Sequence, residues 1–227
     1  MPIVFINSAF FAYRGKAQFV TGAYYNKRML TVAIQAGGES RRMGQDKALV
    51  PFLGQPLIER VVKRMAGVAD EIIVTTNRPE AYAFLHLPLF PDLRPGRGAL
   101  GGLYTALASA RETLVAILAC DMPFANPQLV AFQARLLETE EADIVIPVLG
   151  DGYEPLHAVY RRSTCLPAVT WALDNDQWKL ISWFSRVKVR AVTAEECLAY
   201  DPQELAFANV NTPQEVTEAE ARARRLA

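Results

Sequence analysis

Residues 35–47 read Gln35-Ala36-Gly37-Gly38-Glu39-Ser40-Arg41-Arg42-Met43-Gly44-Gln45-Asp46-Lys47, and they carry the densest chemistry in the chain. Glycines let a backbone turn tightly and aim its N–H groups at an anion, as a phosphate-cradling nest does. Arg41, Arg42 and Lys47 add three cations to the same loop, a set that suits a multiply charged ligand. The spacing is neither G-x-G-x-x-G nor a Walker A loop, since no Gly-Lys-Ser/Thr follows. A second loaded point is Cys120-Asp121-Met122-Pro123, directly after the apolar run Leu114–Ala119. A carboxylate at the end of a buried strand needs a partner, because an unpaired buried charge is expensive. A Mg²⁺ ion shared with substrate phosphates would supply one through hard oxygen ligands, which makes Asp121 the candidate metal ligand. A third is Phe90-Pro91-Asp92, where Asp92 can accept hydrogen bonds from a base or sugar or simply start a turn. Asn209-Val210-Asn211 stands just before a well-capped helix and can return to the same edge, although asparagine before Thr-Pro is also ordinary turn chemistry.

What is missing narrows the reaction. The chain has two histidines, His86 and His157, and neither a G-x-S-x-G elbow nor an H-E-x-x-H pair. Serine, cysteine and zinc hydrolysis therefore have no obvious machinery, and His157 reads as a strand residue rather than a base. A phosphate cradle, cations and Mg²⁺ without a histidine base fit phosphoryl or nucleotidyl transfer, which depends mainly on positioning and charge stabilisation. If the nucleophile is itself a phosphate, it is already ionised near neutral pH and needs no general base.

The elements that must position these residues follow from periodicity. Thr31–Ala36, Glu71–Thr75, Leu87–Phe90, Leu114–Ala119, Asp143–Pro147 and Leu156–Tyr160 read as strands. Helices are expected over Pro56–Ala66, Ala81–Leu85, Leu103–Ala110 and from Pro127 to about Glu138, capped by Asn126. Gly96, Gly98, Gly101 and Gly102 are expected in a loop. Thr212, Pro213 and Glu215 have the spacing of a capping box that opens a final helix. Strands alternating with helices indicate a Rossmann-like α/β three-layer sandwich, with a mostly parallel sheet covered by helices on both faces. Ligands of such sheets bind beyond the carboxyl ends of the strands, where the loaded loops lie.

With 227 residues the chain can bury a substantial core as one domain. The expected division is an N-terminal extension, residues 1–28, outside the fold, and one domain over residues 29–227. Twenty-four basic side chains balance twenty-four acidic ones, so nothing marks a nucleic-acid partner. No apolar run approaches the ~18 residues that span a bilayer. Three separated cysteines, Cys120, Cys165 and Cys197, argue against a disulfide framework and fit a reducing cytoplasm. The tryptophans read as core or interface.

The motif Ala36-Gly37-Gly38-x-Ser40-x-Arg42-Met43-Gly44-x-Asp46-Lys47-Ala48 resembles the signature loop of molybdenum cofactor guanylyltransferases. Cys120-Asp121-Met122-Pro123, Pro155-Leu156-His157-Ala158 and Asn209-Val210-Asn211-Thr212-Pro213 follow in the same order, so the likeness runs from about Thr31 onward. The resemblance implies a nucleotidyltransferase fold and transfer of GMP from GTP to the molybdopterin-bound molybdenum cofactor, with release of pyrophosphate. It implies that the backbone of Gln35, Ala36 and Gly37 holds the guanine nucleotide, with Lys47 on its phosphates and Asp92 on the nucleoside. Asp121 would hold Mg²⁺, and Lys47, Arg42 and Asp121 would be the catalytic set. Arg41, Asn209 and Asn211 fall toward the phosphate and pterin side. GTP and molybdopterin are the implied substrates, with other cofactor-biosynthesis proteins or molybdoenzymes as candidate further partners.

Three departures stand out. Gln35 replaces the apolar residue usual before Ala-Gly-Gly, Thr75-Thr76-Asn77 carries one asparagine only, and the N-terminal extension has no counterpart. Rival readings remain: a cytidylyltransferase on the same pterin, a GTP transferase on another phosphate acceptor, or a non-catalytic nucleotide- or cofactor-binding partner.

Overall fold

A computed structural model describes residues 29–37, 46–150 and 152–226. The expected extension over residues 1–28 and the arginines Arg41 and Arg42 lie outside the described residues. The chain opens with β1 (Leu30–Gln35) and a small hairpin of β2 (Pro51–Phe52) and β3 (Gln55–Pro56). Next come α1 (Leu57–Met65), β4 (Glu71–Thr75), α2 (Pro79–Tyr82), β5 (Leu89–Phe90), α3 (Gly98–Ser109) and β6 (Leu114–Ala119). The second half holds α4 (Pro127–Thr139), β7 (Ile144–Leu149), β8 (Gly152–Tyr153), β9 (His157–Arg161) and α5 (Arg162–Asp174). It ends with β10 (Val189–Val192), α6 (Ala194–Leu198) and α7 (Pro213–Arg225).

The main sheet has the order β10-β7-β9-β6-β1-β4-β5, with β8 paired to β7. β1 and β6, each six residues long, pair in parallel in its middle and are buried at every position. Continuous apolar strands belong there because both faces are covered. Val32 and Ile34 of β1 point into one core, with Ile58 and Val61 of α1 and Leu129 of α4. Ala33 points into the other, with Leu103 of α3 and Val169 of α5. The arrangement is the expected three-layer sandwich.

β9 runs antiparallel to both its neighbours, β6 and β7, and the short β8 also pairs antiparallel with β7. Parallel neighbours need a crossover, usually a helix, and the short stretch from β7 to β9 has none. The reversal brings the amino end of β9 to the carboxyl edge of the parallel strands, so residues just before His157 reach the ligand side of the sheet.

The caps form as their spacing predicts. The Asn126 side chain accepts from the N–H groups of Gln128 and Leu129 at 2.9 and 3.2 Å. Thr212 and Glu215 complete a capping box at the start of α7. The glycine-rich stretch departs from expectation: Gly98, Gly101 and Gly102 belong to α3, not to a loop. Gly96, at a φ of +75°, turns the chain into the helix. A Cβ on Gly101 would stand 2.9 Å from the Arg94 carbonyl oxygen, and one on Gly102 would stand 2.9 Å from Gln35 Oε1. These glycines let the helix approach the preceding turn and the end of β1.

Gly101→Ala therefore separates two effects. Helix propensity favours alanine by about 1 kcal/mol, while forced contact in a packed site costs about 1–3 kcal/mol. The clashing atom is backbone, so net destabilisation is expected in a urea titration; a stabilised variant would show that α3 is not pinned against Arg94.

Candidate active site

The register of β1 against β6 pairs Gln35 with Ala119, and the Cys120 N–H donates to the Gln35 carbonyl at 3.2 Å. The loop after β1 is thereby held level with Asp121. Gln35, Ala36, Gly37, Lys47, Asp121 and Asn209 line one cleft of about 310 Å³ at this edge. Lys47 opens a single 3₁₀ turn, Lys47–Leu49, capped by Asp46, whose carboxylate accepts from the Ala48 N–H at 3.1 Å. Asp46 is tethered in turn by Arg78 and the Tyr82 hydroxyl, so α2 braces the segment that carries Lys47.

Lys47 Nζ lies 3.4 Å from Asp121 Oδ2 and also donates to the Asn211 side-chain oxygen. The Val210 N–H donates to the Asp121 carbonyl at 3.0 Å, which ties the Asn209–Asn211 segment to the end of β6. The asparagines thus return to the strand edge where sequence spacing allowed them. Only 16% of the Asp121 side chain is exposed. Burial raises its carboxyl above the usual range even though Lys47 pulls it down. One lysine does not fully repay the desolvation of that carboxylate.

Asp92 is placed differently. It is absent from the lining of this cleft and forms a reciprocal pair with Asn77: Asn77 Nδ2 donates to Asp92 Oδ2 at 2.8 Å, and the Asp92 N–H donates to Asn77 Oδ1 at 2.9 Å. The pair stands where β4 and β5 end, on the far side of β1 from Asp121. Gln35 is 9% exposed, and its Nε2 is buried without a hydrogen-bond partner.

Other groups are inert. The Cys120 thiol is pushed up by burial and by the Asp121 and Asp46 carboxylates, so it stays protonated. His157 is fully buried and accepts from the Asn126 N–H through Nε2 at 3.3 Å, so it supports the start of α4 and does not act as a base in the cleft. All three cysteines are free. Trp183 is core, whereas Trp178 is 61% exposed beneath the Arg97 guanidinium. Among the described residues no helix is long and apolar enough to cross a membrane.

Residues 32–189 match the profile of the MobA-like NTP transferase domain. A "Probable molybdenum cofactor guanylyltransferase" of Carboxydothermus hydrogenoformans is 39% identical over 184 residues, covering 81% of this chain and 91% of its own length. A "Molybdenum cofactor guanylyltransferase" of Desulfosudis oleivorans is 34% identical, covering 85% and 95%. The crystal structure of molybdopterin-guanine dinucleotide biosynthesis protein A from Archaeoglobus fulgidus superposes with a TM-score of 0.75. That protein is 26% identical, and the match spans 86% of this chain and 99% of that one. With a profile match over most of its length and relatives above 30% identity, the chain belongs to the MobA-like NTP transferases, beside proteins named molybdenum cofactor guanylyltransferase.

Proposed function

We propose that this nucleotidyltransferase moves GMP from GTP onto the terminal phosphate of the molybdopterin-bound molybdenum cofactor and releases pyrophosphate. The observation that carries this reading is the Lys47 ammonium, held beside the Asp121 carboxylate and the Asn211 amide in the cleft that the Gly37 loop borders. The acceptor phosphate is already ionised and attacks the α-phosphorus in line. Lys47 donates to phosphate oxygens and offsets the charge that develops toward pyrophosphate. Arg42 and Arg41, from the same loop, add charge toward the triphosphate or the pterin phosphate. The backbone of Gln35, Ala36 and Gly37 supports the nucleotide, and Asp92, oriented by Asn77, takes the nucleoside.

The donor set fits Mg²⁺. Among the described residues no three His, Cys, Asp or Glu side chains gather to hold a metal by themselves. Mg²⁺ is commonly held by one or two carboxylates, with waters and substrate phosphates completing its shell. Asp121 would hold the ion with Asn211 beside it; bound there, it would neutralise charge on the phosphate oxygens.

The test is an assay of nucleotide against acceptor. The protein is incubated with Mg²⁺ and molybdopterin-bound molybdenum, with GTP or CTP, and pyrophosphate is measured. Release with GTP alone is expected. Release with CTP alone would make the chain a cytidylyltransferase, and GTP binding without pyrophosphate would make it a binding partner. Turnover only with a different phosphate acceptor would keep the chemistry and replace the substrate.

A further inference from the structure

The cleft has an acidic wall that phosphate chemistry does not explain. Glu154 lines it together with Pro155, Leu156 and Leu180. Its backbone is fixed: the N–H donates to the Pro147 carbonyl at 2.9 Å, and its carbonyl accepts from the His157 N–H at 3.1 Å. Burial is the only influence resolved on its carboxyl, which it raises, and no cation of the described residues offsets it. A carboxylate facing a triphosphate site repels phosphate, so the ligand group that docks against it must bring hydrogen-bond donors.

Sheet order says which ligand that is. The Asp92–Asn77 pair stands at the β4 and β5 end, and the Lys47–Asp121 contact bridges β1 and β6. Glu154 directly follows β8 and stands three residues ahead of β9, on the other flank of β6. With the nucleoside toward β4 and β5 and the phosphates at the centre, the β9 flank is left for the acceptor. We propose that Glu154 binds the acceptor's heterocycle, taking the N3–H and the 2-amino group of a pterin-type 2-amino-4-oxo ring as a bidentate pair. This rests on the reading of the chain as a transferase to molybdopterin. Pro155, Leu156 and Leu180 supply the apolar surface such a flat ring needs. Guanine offers the same donor pair, so position along the sheet, not chemistry, assigns Glu154 to the acceptor.

The experiment titrates the full chain, saturated with GTP, with pterin and with lumazine, which carries oxygen where pterin carries the 2-amino group. The wild type is expected to prefer pterin by roughly tenfold or more, and Glu154→Gln to lose that preference. The same variant raises the acceptor KM by roughly tenfold while its GTP affinity stays within about twofold of wild type. Wild-type binding of neither heterocycle, or of both equally, overturns the proposal. Loss of GTP affinity in Glu154→Gln overturns it too and assigns the carboxylate to guanine. The titration needs no turnover, so failure to release pyrophosphate with molybdopterin would count against the transferase reading alone.

Discussion

Asp121→Ala is expected to lower turnover of pyrophosphate release on the order of 10²–10³-fold, the cost of removing one well-placed electrostatic group. Asp121 follows the central strand β6, contacts Lys47 at 3.4 Å, and is the one carboxylate among the described residues in direct contact with that lysine. Asp121→Asn keeps the shape and removes the charge, and it should lose nearly as much. The fold reports the opposite trend. Burial holds the Asp121 carboxyl above its usual range, so at neutral pH the ionised form costs stability. The asparagine variant is therefore expected to melt at the same temperature as wild type or higher. A fall in turnover without a fall in melting temperature is the pattern of a residue kept for function at the expense of the fold. Turnover close to wild type in Asp121→Asn would remove this carboxylate from the chemistry and the proposed Mg²⁺ with it.

What could be read from the chain was local. β1 and β6 announce themselves as short, mostly apolar runs, and each leads into a loop whose residue types already suggest phosphate and metal. Asn126-Pro127 and Thr212-Pro213 mark helix starts because capping is a matter of a few adjacent residues. The helix α3 was half hidden. Its glycines read as a loop, although they serve close packing against Arg94 and Gln35, a contact made by residues distant in sequence. α5 is an element that periodicity did not announce: it carries Pro167 inside the helix, yet Cys165, Val169 and Leu173 bury one side of it in the second core. Tertiary burial overrides local preference there.

The site shows the same division. Lys47, Asp121 and Asn211 were named from their motifs, and the structure brings them together. The bracing groups were not visible: Asp46 held by Arg78 and Tyr82, Asn77 paired with Asp92, and Glu154 carried to the ligand edge by the reversed β9. Each depends on strand order. Glu154 left one faint signal, an acid directly before the Pro155-Leu156-His157 motif.

Acidification is expected to destabilise the protein through His157. The ring is fully buried, and burial lowers its pKa from the ordinary 6.5 to about 4. An unfolded chain exposes the same ring with its ordinary affinity for protons, so between these two values the unfolded state binds more protons than the folded one. Stability then rises with pH across that window. The histidine's contribution is whole above about pH 6.5, falls as pH drops, and is fully lost below about pH 4. Spread over that interval the loss amounts to about 3 kcal/mol, a large share of the ~5–15 kcal/mol that holds a domain folded. The cause is specific: Nε2 already accepts the Asn126 N–H, Nδ1 has no partner, and the Phe207 ring packs against the imidazole, so nothing receives a second proton's charge. His157→Gln keeps an acceptor near the start of α4 and removes the titrating ring. Urea titrations from pH 4 to 7 should show a steep slope in wild type and a flatter one in the variant. Parallel slopes would mean that His157 takes up its proton without leaving the fold.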